Sequence, residues 1–205
     1  PQGIQAFSAT ATDDEGHTAA VTPREMAVGA AADDEAVIPY VAQGPEINGE
    51  RDAAWDDAYT VVADRVAFGS AQPGIEPPEV RLLWNERELF FYVTASDDHT
   101  MFQGQHWNNP WNGDTVELAI DSDALDRETA AGTYGPHDAR LLFRWGTIQM
   151  GSRLQSYGGL DFYMVKRPDG QPGYVLEGKV PWQLLDTRAA AGRRVGVGVL
   201  VYDND

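Results

Sequence analysis

The stretch Asn109-Pro110-Trp111-Asn112-Gly113-Asp114-Thr115-Val116-Glu117-Leu118-Ala119-Ile120-Asp121 couples an indole on a turn to a run of alternating polarity. From Thr115 a period of two puts Val116, Leu118 and Ile120 on one side and Thr115, Glu117, Ala119 and Asp121 on the other. Trp111 and Glu117 can then share one surface, where the indole offers an apolar plate and the carboxylate offers acceptors for hydroxyl groups. That is the chemistry of a ligand platform, not of a catalytic centre. The preceding Gln105-His106-Trp107-Asn108-Asn109-Pro110 is too polar for a core strand and adds Trp107 and Asn109 as candidate contacts. Trp111 also admits a bland reading as core, since tryptophans are usually substantially buried.

A second run, Arg140 to Trp145, sets Leu141, Phe143 and Trp145 against Arg144. On a strand beside 115–121, the forked donors of Arg144 and the two oxygens of Glu117 suit a pair of vicinal hydroxyls. The competing reading is a cross-strand ion pair on a solvated face, worth about 0.2–1 kcal/mol. Asp121, Asp123 and Asp126, with Asp97 and Asp98, supply hard oxygen ligands near strand ends, which suits a structural Ca²⁺. Their spacing is not that of an EF-hand loop, and acidic loops in an acidic chain are otherwise simply solvated.

Composition removes several classes. With 32 acidic against 15 basic residues the formal charge is -17, which repels nucleic acid and anionic membranes and suits neutral ligands or divalent cations. Without cysteine there is no disulfide framework, thiolate metal site or cysteine nucleophile. No apolar run of about 18 residues offers a membrane span. His17, His99, His106 and His137 lack a serine elbow or a metal-binding His-x-x-x-His spacing, and Gly132-Thr133-Tyr134-Gly135 is not a phosphate loop. A glycosidase would need two carboxylates at a defined separation, and nothing in the sequence singles out a pair.

The elements that must position these residues read as strands. Val80 to Trp84 and Leu89 to Ala95, joined by the polar turn Asn85-Glu86-Arg87-Glu88, predict a hairpin. Further strands are expected at Val61-Val62, 115–121, Arg140 to Trp145, Asp161 to Val165, Tyr174 to Val180 and Val195 to Val201, with turns at Asn112-Gly113 and Pro168-Asp169-Gly170. Helical turns are expected around Trp55 and at Pro181-Trp182-Gln183-Leu184-Leu185, and Trp55, Trp84 and Trp182 are assigned to the core. Strands at this spacing without long amphipathic helices predict an all-β, antiparallel β-sandwich.

Residues 1–44 form an irregular N-terminal extension, rich in Ala, Thr, Asp and Glu, with Phe7 and Tyr40 as its aromatics. Within it, Gly3 to Thr12 and the stretch ending at Val21 outline strand, turn and strand; this weakly resembles the last hairpin of a bacterial immunoglobulin-like repeat, against a disordered tether for the acidic, Ala-rich part that follows. The chain therefore reads as a linker or domain remnant (1–44) and a sandwich (45–205) excised from a longer protein. The last strand runs into Asp203-Asn204-Asp205 with no further partner, so a C-terminal segment is expected beyond it.

Taken in order, five stretches resemble the family 9 carbohydrate-binding modules, a jelly-roll-like group of sandwiches related to DOMON domains. They are Pro45 to Trp55; Val80 to Trp84 with Leu89 to Val93; Trp111 to Glu117 with Ile120-Asp121; Glu177 to Trp182; and Gly196 to Val199 with Tyr202 to Asp205. The resemblance implies a non-catalytic carbohydrate-binding module of a secreted, multidomain protein involved in polysaccharide degradation, located outside the cell or on its surface, with covalently linked neighbours. It implies that Trp111 walls a sugar slot, that Glu117 and Arg144 bond sugar hydroxyls, and that calcium is often present. Two departures stand against it: Gly146 replaces a polar amide two residues beyond Arg144, and the second sugar-clamping tryptophan falls after the point where this chain ends.

Two further readings stay open. Related sandwiches hold haem b between Met and His or Met and Lys, for which Met101, Met150, Met164, His99, His106 and Lys166 are the available ligands in an electron-transfer domain. A structural spacer that has lost its ligand would suit Gly146 and the early C-terminus.

Overall fold

The structure, a computed structural model, describes residues 9–12, 18–21, 36–63, 75–98, 114–122, 137–144, 147–151 and 159–203. In the extension, β1 (Ala9–Thr12) pairs antiparallel with β2 (Thr18–Val21), Ala9 facing Val21 and Thr12 facing Thr18. The remaining strands are β3 (Tyr59–Val62), β4 (Glu79–Trp84), β5 (Glu88–Ala95), β6 (Thr115–Asp121), β7 (Asp138–Arg144), β8 (Thr147–Gly151), β9 (Asp161–Lys166), β10 (Tyr174–Pro181) and β11 (Gly196–Tyr202). They form a five-stranded sheet in the order β3-β4-β5-β10-β9 and a four-stranded sheet in the order β11-β6-β7-β8, every pairing antiparallel. The expected all-β antiparallel sandwich is what the chain adopts.

Alternation along each strand builds the core between the sheets. Val80, Leu82, Leu89, Phe91, Val93 and Leu176 from one sheet pack with Val116, Leu118, Ile120, Leu141, Phe143, Val197 and Val199 from the other. Phe143 joins the layers, its ring 5.0 Å from Phe91 and 5.2 Å from Phe162. Gly178 makes room for this contact, since a Cβ there would lie 2.3 Å from the Phe91 ring.

The run Leu89 to Val93 is buried on both faces because the outer side of the first sheet is also covered. Leu83, Phe90, Tyr92 and Val175 meet Trp55, held on a 3-10 turn at Ala53–Asp57 that Asp52 caps through a bond from the Ala54 N–H. Glu177 anchors this flap: its carboxylate, fully buried, accepts from Asn48 N (2.9 Å), Gly49 N (2.8 Å) and Trp55 Nε1 (2.8 Å). Burial pushes the Glu177 carboxyl up from the ordinary glutamate value, against those three donors, which pull it down. The stretch from Pro45 to Trp55 is thus sewn to the one from Glu177 onward.

Trp55 and Trp182 are buried and Trp84 packs half-buried against the core, as expected. Ile38 to Val41, on the linker side of position 44, already bond to the sandwich: Trp84 N donates to Pro39 O, Trp84 Nε1 to Ile38 O and Val41 N to Trp84 O. The sequence reading missed β8, whose five residues carry no strong apolar alternation. The last strand pairs along its whole length with β6.

Candidate functional site

The second sheet carries polar chemistry on the side facing away from the core. Directly paired residues of an antiparallel sheet point the same way, so register assigns the face. Glu117 lies between Leu142 on β7 and Leu200 on β11, Ala119 lies opposite Arg140, and Thr115 lies opposite Tyr202. Glu117, Arg140, Leu142, Arg144 and Tyr202 therefore share one face, opposite the apolar set Val116, Leu118, Ile120, Leu141 and Phe143. Part of this face is withdrawn from water even though it lies outside the core: Glu117 is 5% exposed, Leu142 3% and Arg144 7%, while Arg140 and Tyr202 are partly exposed.

Glu117 is its centre. Arg140 reaches diagonally from β7 and donates through Nε to Oε1 and through Nη2 to Oε2, both at 2.5 Å. From β11, the Tyr202 hydroxyl donates to Oε2 at 2.8 Å. A bidentate guanidinium–carboxylate pair fixes both planes, so the remaining lone pairs of Glu117 have defined directions. Sequence reasoning placed Arg144 against Glu117. The structure places both on the same face of paired strands, but the arginine in contact with Glu117 is Arg140, two residues earlier. Alternation alone puts both arginines on that face, and only the register tells which one comes within reach.

Trp111, Trp107 and Asn109, as well as Gly146, lie outside the described residues. So do Asp123 and Asp126, while Asp121 is buried at the far end of β6, paired in register with Asp138 and Gly196. Among the described residues, the group with metal-ligand geometry is a different one: Asp97 after β5, Asp114 before β6 and Asp203 after β11, with oxygens all within 4.8 Å of one another. Calcium–oxygen distances of about 2.3–2.6 Å set opposed ligands at most about 5 Å apart, and three carboxylates are a hard donor set, so the group fits Ca²⁺. Asp97 and Asp114 are buried and Asp203 is exposed. Tyr174 lies beside them, its hydroxyl pushed well up, first by burial and then by the charges of Asp114, Asp97 and Asp203. The sequence reading named Asp97 as a ligand source but not Asp114 or Asp203, because the three meet only when β5, β6 and β11 are brought to one end of the sandwich.

Of the residues considered for haem, Met164 packs within the core and Lys166 is exposed at the end of β9. His99, Met101 and His106 and the side chain of Met150 lie outside the described residues. No described helix is long and apolar enough to cross a membrane.

Two solved structures share the fold, both of a carbohydrate binding module family 9 from Caldicellulosiruptor kristjanssonii. One, in complex with glucose, is 20% identical over 81% of this chain and 78% of that chain, with a TM-score of 0.63. The other, in complex with cellotriose, is 20% identical over 82% of this chain and 77% of that chain, with a TM-score of 0.64. No curated protein matches the chain significantly. The model of the family described as carbohydrate family 9 binding domain-like matches residues 47–205, the flap over Trp55 and both sheets included, and the chain belongs to that family.

Proposed function

We propose that this domain is a non-catalytic carbohydrate-binding module whose sugar contacts the outer face of the four-stranded sheet around Glu117 and Arg140. The observation that carries the reading is the Arg140–Glu117–Tyr202 cluster, a hydrogen-bonded set of donors and acceptors on the side away from the core, with Glu117 buried and Arg140 and Tyr202 partly exposed. Oriented groups of this kind discriminate hydroxyl positions, because a misplaced hydroxyl leaves buried polar atoms unmatched. The stacking role is assigned to Trp111, six residues before Glu117 in sequence, with Trp107 and Asn109 as further sugar contacts, and Arg144 lies on the same sheet face as Glu117. Stacking of a sugar ring on an indole contributes about 1–3 kcal/mol, by analogy with other buried aromatic surface.

Calcium fits the reading as a structural ion held by Asp97, Asp114 and Asp203, where it would neutralise three carboxylates and tie the ends of β5, β6 and β11 together. Family membership supports a place in a secreted, multidomain protein, outside the cell or on its surface, where a linked enzyme gains effective concentration at its polysaccharide.

Calorimetric titration with glucose, cellobiose and cellotriose in calcium, with the visible spectrum recorded, tests the proposal. Saturable heat that Trp111→Ala abolishes while the thermal midpoint holds supports it. Absence of heat with every sugar points to a spacer, and a Soret band points to a haem domain.

A further inference from the structure

A concave surface lies at the end of the sandwich opposite the aspartate group. β6 leads from Asp114, in the aspartate group just before it, to Ser122 just after it, and β5 leads from Glu88 toward Asp97, just beyond its end, in the opposite sense. The end marked by Glu88 and Ser122 holds a cleft of about 870 Å³ between the β4–β5 turn and the segment from Pro181 to Arg193. That volume lies within the range of small-ligand sites, about 300–1,000 Å³.

The walls of the cleft are tied in place. Asn85 accepts from Arg87 N and Glu88 N through its side chain, each at 2.8 Å, which fixes the turn. Trp182 bridges to it, donating from Nε1 to Asn85 O and from its backbone N to Arg87 O, both at 2.9 Å. On the other side, Ser122 Oγ donates to Leu185 O at 2.8 Å, and Arg193 donates to Ser122 O and Arg188 O. Pro181, Trp182 and Ala189 contribute apolar lining.

The charges sort by what already engages them. Glu86 accepts from the Tyr40 hydroxyl at 2.5 Å, Glu88 faces Lys179 Nζ at 3.4 Å, and Arg193 is spent on carbonyls. Among the described residues, no hydrogen bond or ion pair occupies the guanidinium of Arg87 or of Arg188. Two guanidiniums without a hydrogen bond or salt bridge stand on one cleft in a chain with 32 acidic residues and 15 basic ones, the charge of Arg87 also acting on Glu86. Thr187, 8% exposed, also lines the cleft, and its buried hydroxyl has no hydrogen-bond partner among the described residues.

We propose that this cleft is a second saccharide site, selective for a carboxylated sugar unit, in which Arg87 and Arg188 bind the uronate carboxylate. The guanidinium fork matches a carboxylate bidentately, Asp186 and Gln183 accept from and donate to ring hydroxyls, and the apolar lining meets a ring face. Of the carboxylates that line the cleft, Glu88 faces Lys179, and the exposed Glu86 and Asp186 stand against the three guanidiniums of Arg87, Arg188 and Arg193, while charges beyond about 8 Å are largely screened at physiological salt. The site goes beyond the neutral-sugar reading above and shares no residue with it.

The test titrates the full chain with trigalacturonate, with its methyl ester and, in parallel, with cellotriose, in wild type and in an Arg87→Gln/Arg188→Gln double variant. Both arginines are exposed, so the variant keeps the wild-type thermal midpoint. The inference expects saturable binding of trigalacturonate, weakened about tenfold or more by esterification and by the double substitution, as loss of a charge-assisted pair implies. It expects cellotriose binding to be the same in both proteins. No saturable binding of trigalacturonate, equal binding of the ester, or equal binding by the double variant overturns it. Failure of cellotriose alone leaves this inference standing and removes the neutral-sugar reading instead.

Discussion

Glu117 on β6 and Arg140 on β7 meet through two parallel hydrogen bonds, although Arg140 stands in register with Ala119 and not with Glu117. The diagonal reach leaves Leu142, directly opposite Glu117, as an apolar spacer between Arg140 and Arg144 on the same face. Glu117 is almost fully withdrawn from water, with its side chain 6% exposed against 20% for Arg140. Arg140→Met is therefore expected to destabilise the fold by about 3 kcal/mol, the low end for breaking a buried pair, because a carboxylate is left with Tyr202 as its remaining donor in this cluster. Urea denaturation measures it; a change below about 0.5 kcal/mol, the level of an ordinary surface substitution, would show that the pair does not hold the face together.

Much of the fold is legible in the sequence where burial is one-sided or complete. The strands at Glu79–Trp84, Glu88–Ala95, Thr115–Asp121 and Tyr174–Pro181 follow apolar runs bounded by turn residues, and Trp55 and Trp182 enter the core as their apolar surroundings imply. The site is less legible. Alternation places Glu117 and both arginines on one face, but which arginine touches Glu117 depends on a register set by the whole sheet. The aspartate group is less visible still, because Asp97, Asp114 and Asp203 are distant in sequence and each follows or precedes a different strand.

Calcium is expected to stabilise the chain through that group. At a free concentration about 100-fold above Kd the gain is about 2.7 kcal/mol, seen as a higher thermal midpoint that chelator reverses. Asp114→Asn, which removes a buried carboxylate from the set, should abolish most of this increment. A calcium effect of the same size in Asp114→Asn would move the ion elsewhere.

Glu177 links stability to pH. Its folded-state carboxyl is raised, first by burial, so the folded chain binds more protons than the unfolded one between the ordinary glutamate value and the raised one. Its contribution is fully present below the unfolded value and is lost as pH rises through the folded one. Glu177→Gln should cost about 1–3 kcal/mol, because an amide cannot accept from the backbone donors of Asn48 and Gly49 and from Trp55 Nε1 on both of its ends. The difference between wild type and variant should widen as pH falls from neutrality toward about 4.5, the ordinary glutamate range. Denaturation curves across that window check it, and a difference that narrows on acidification would contradict the linkage.

Gly178 is required by a close approach. A Cβ at this position would sit 2.3 Å from Phe91 Cζ and 3.0 Å from Asp161 O, pressing on the ring that packs against Phe143. Gly178→Ala should destabilise by about 1–3 kcal/mol, the usual cost of overpacking a core. Thermal unfolding measures it, and an unchanged midpoint would mean that the Phe91–Phe143 contact yields without cost.

Sugar is proposed to bind on the face built by Glu117, Arg140 and Tyr202. The most direct measurement is a titration of the isotope-labelled chain with cellotriose, following backbone amide shifts residue by residue. Saturable shifts are expected to concentrate on Glu117, Arg140, Leu142 and Tyr202, with Val61 and Val62 of β3 unmoved. Shifts confined to the first sheet, or none at any cellotriose concentration, would contradict it.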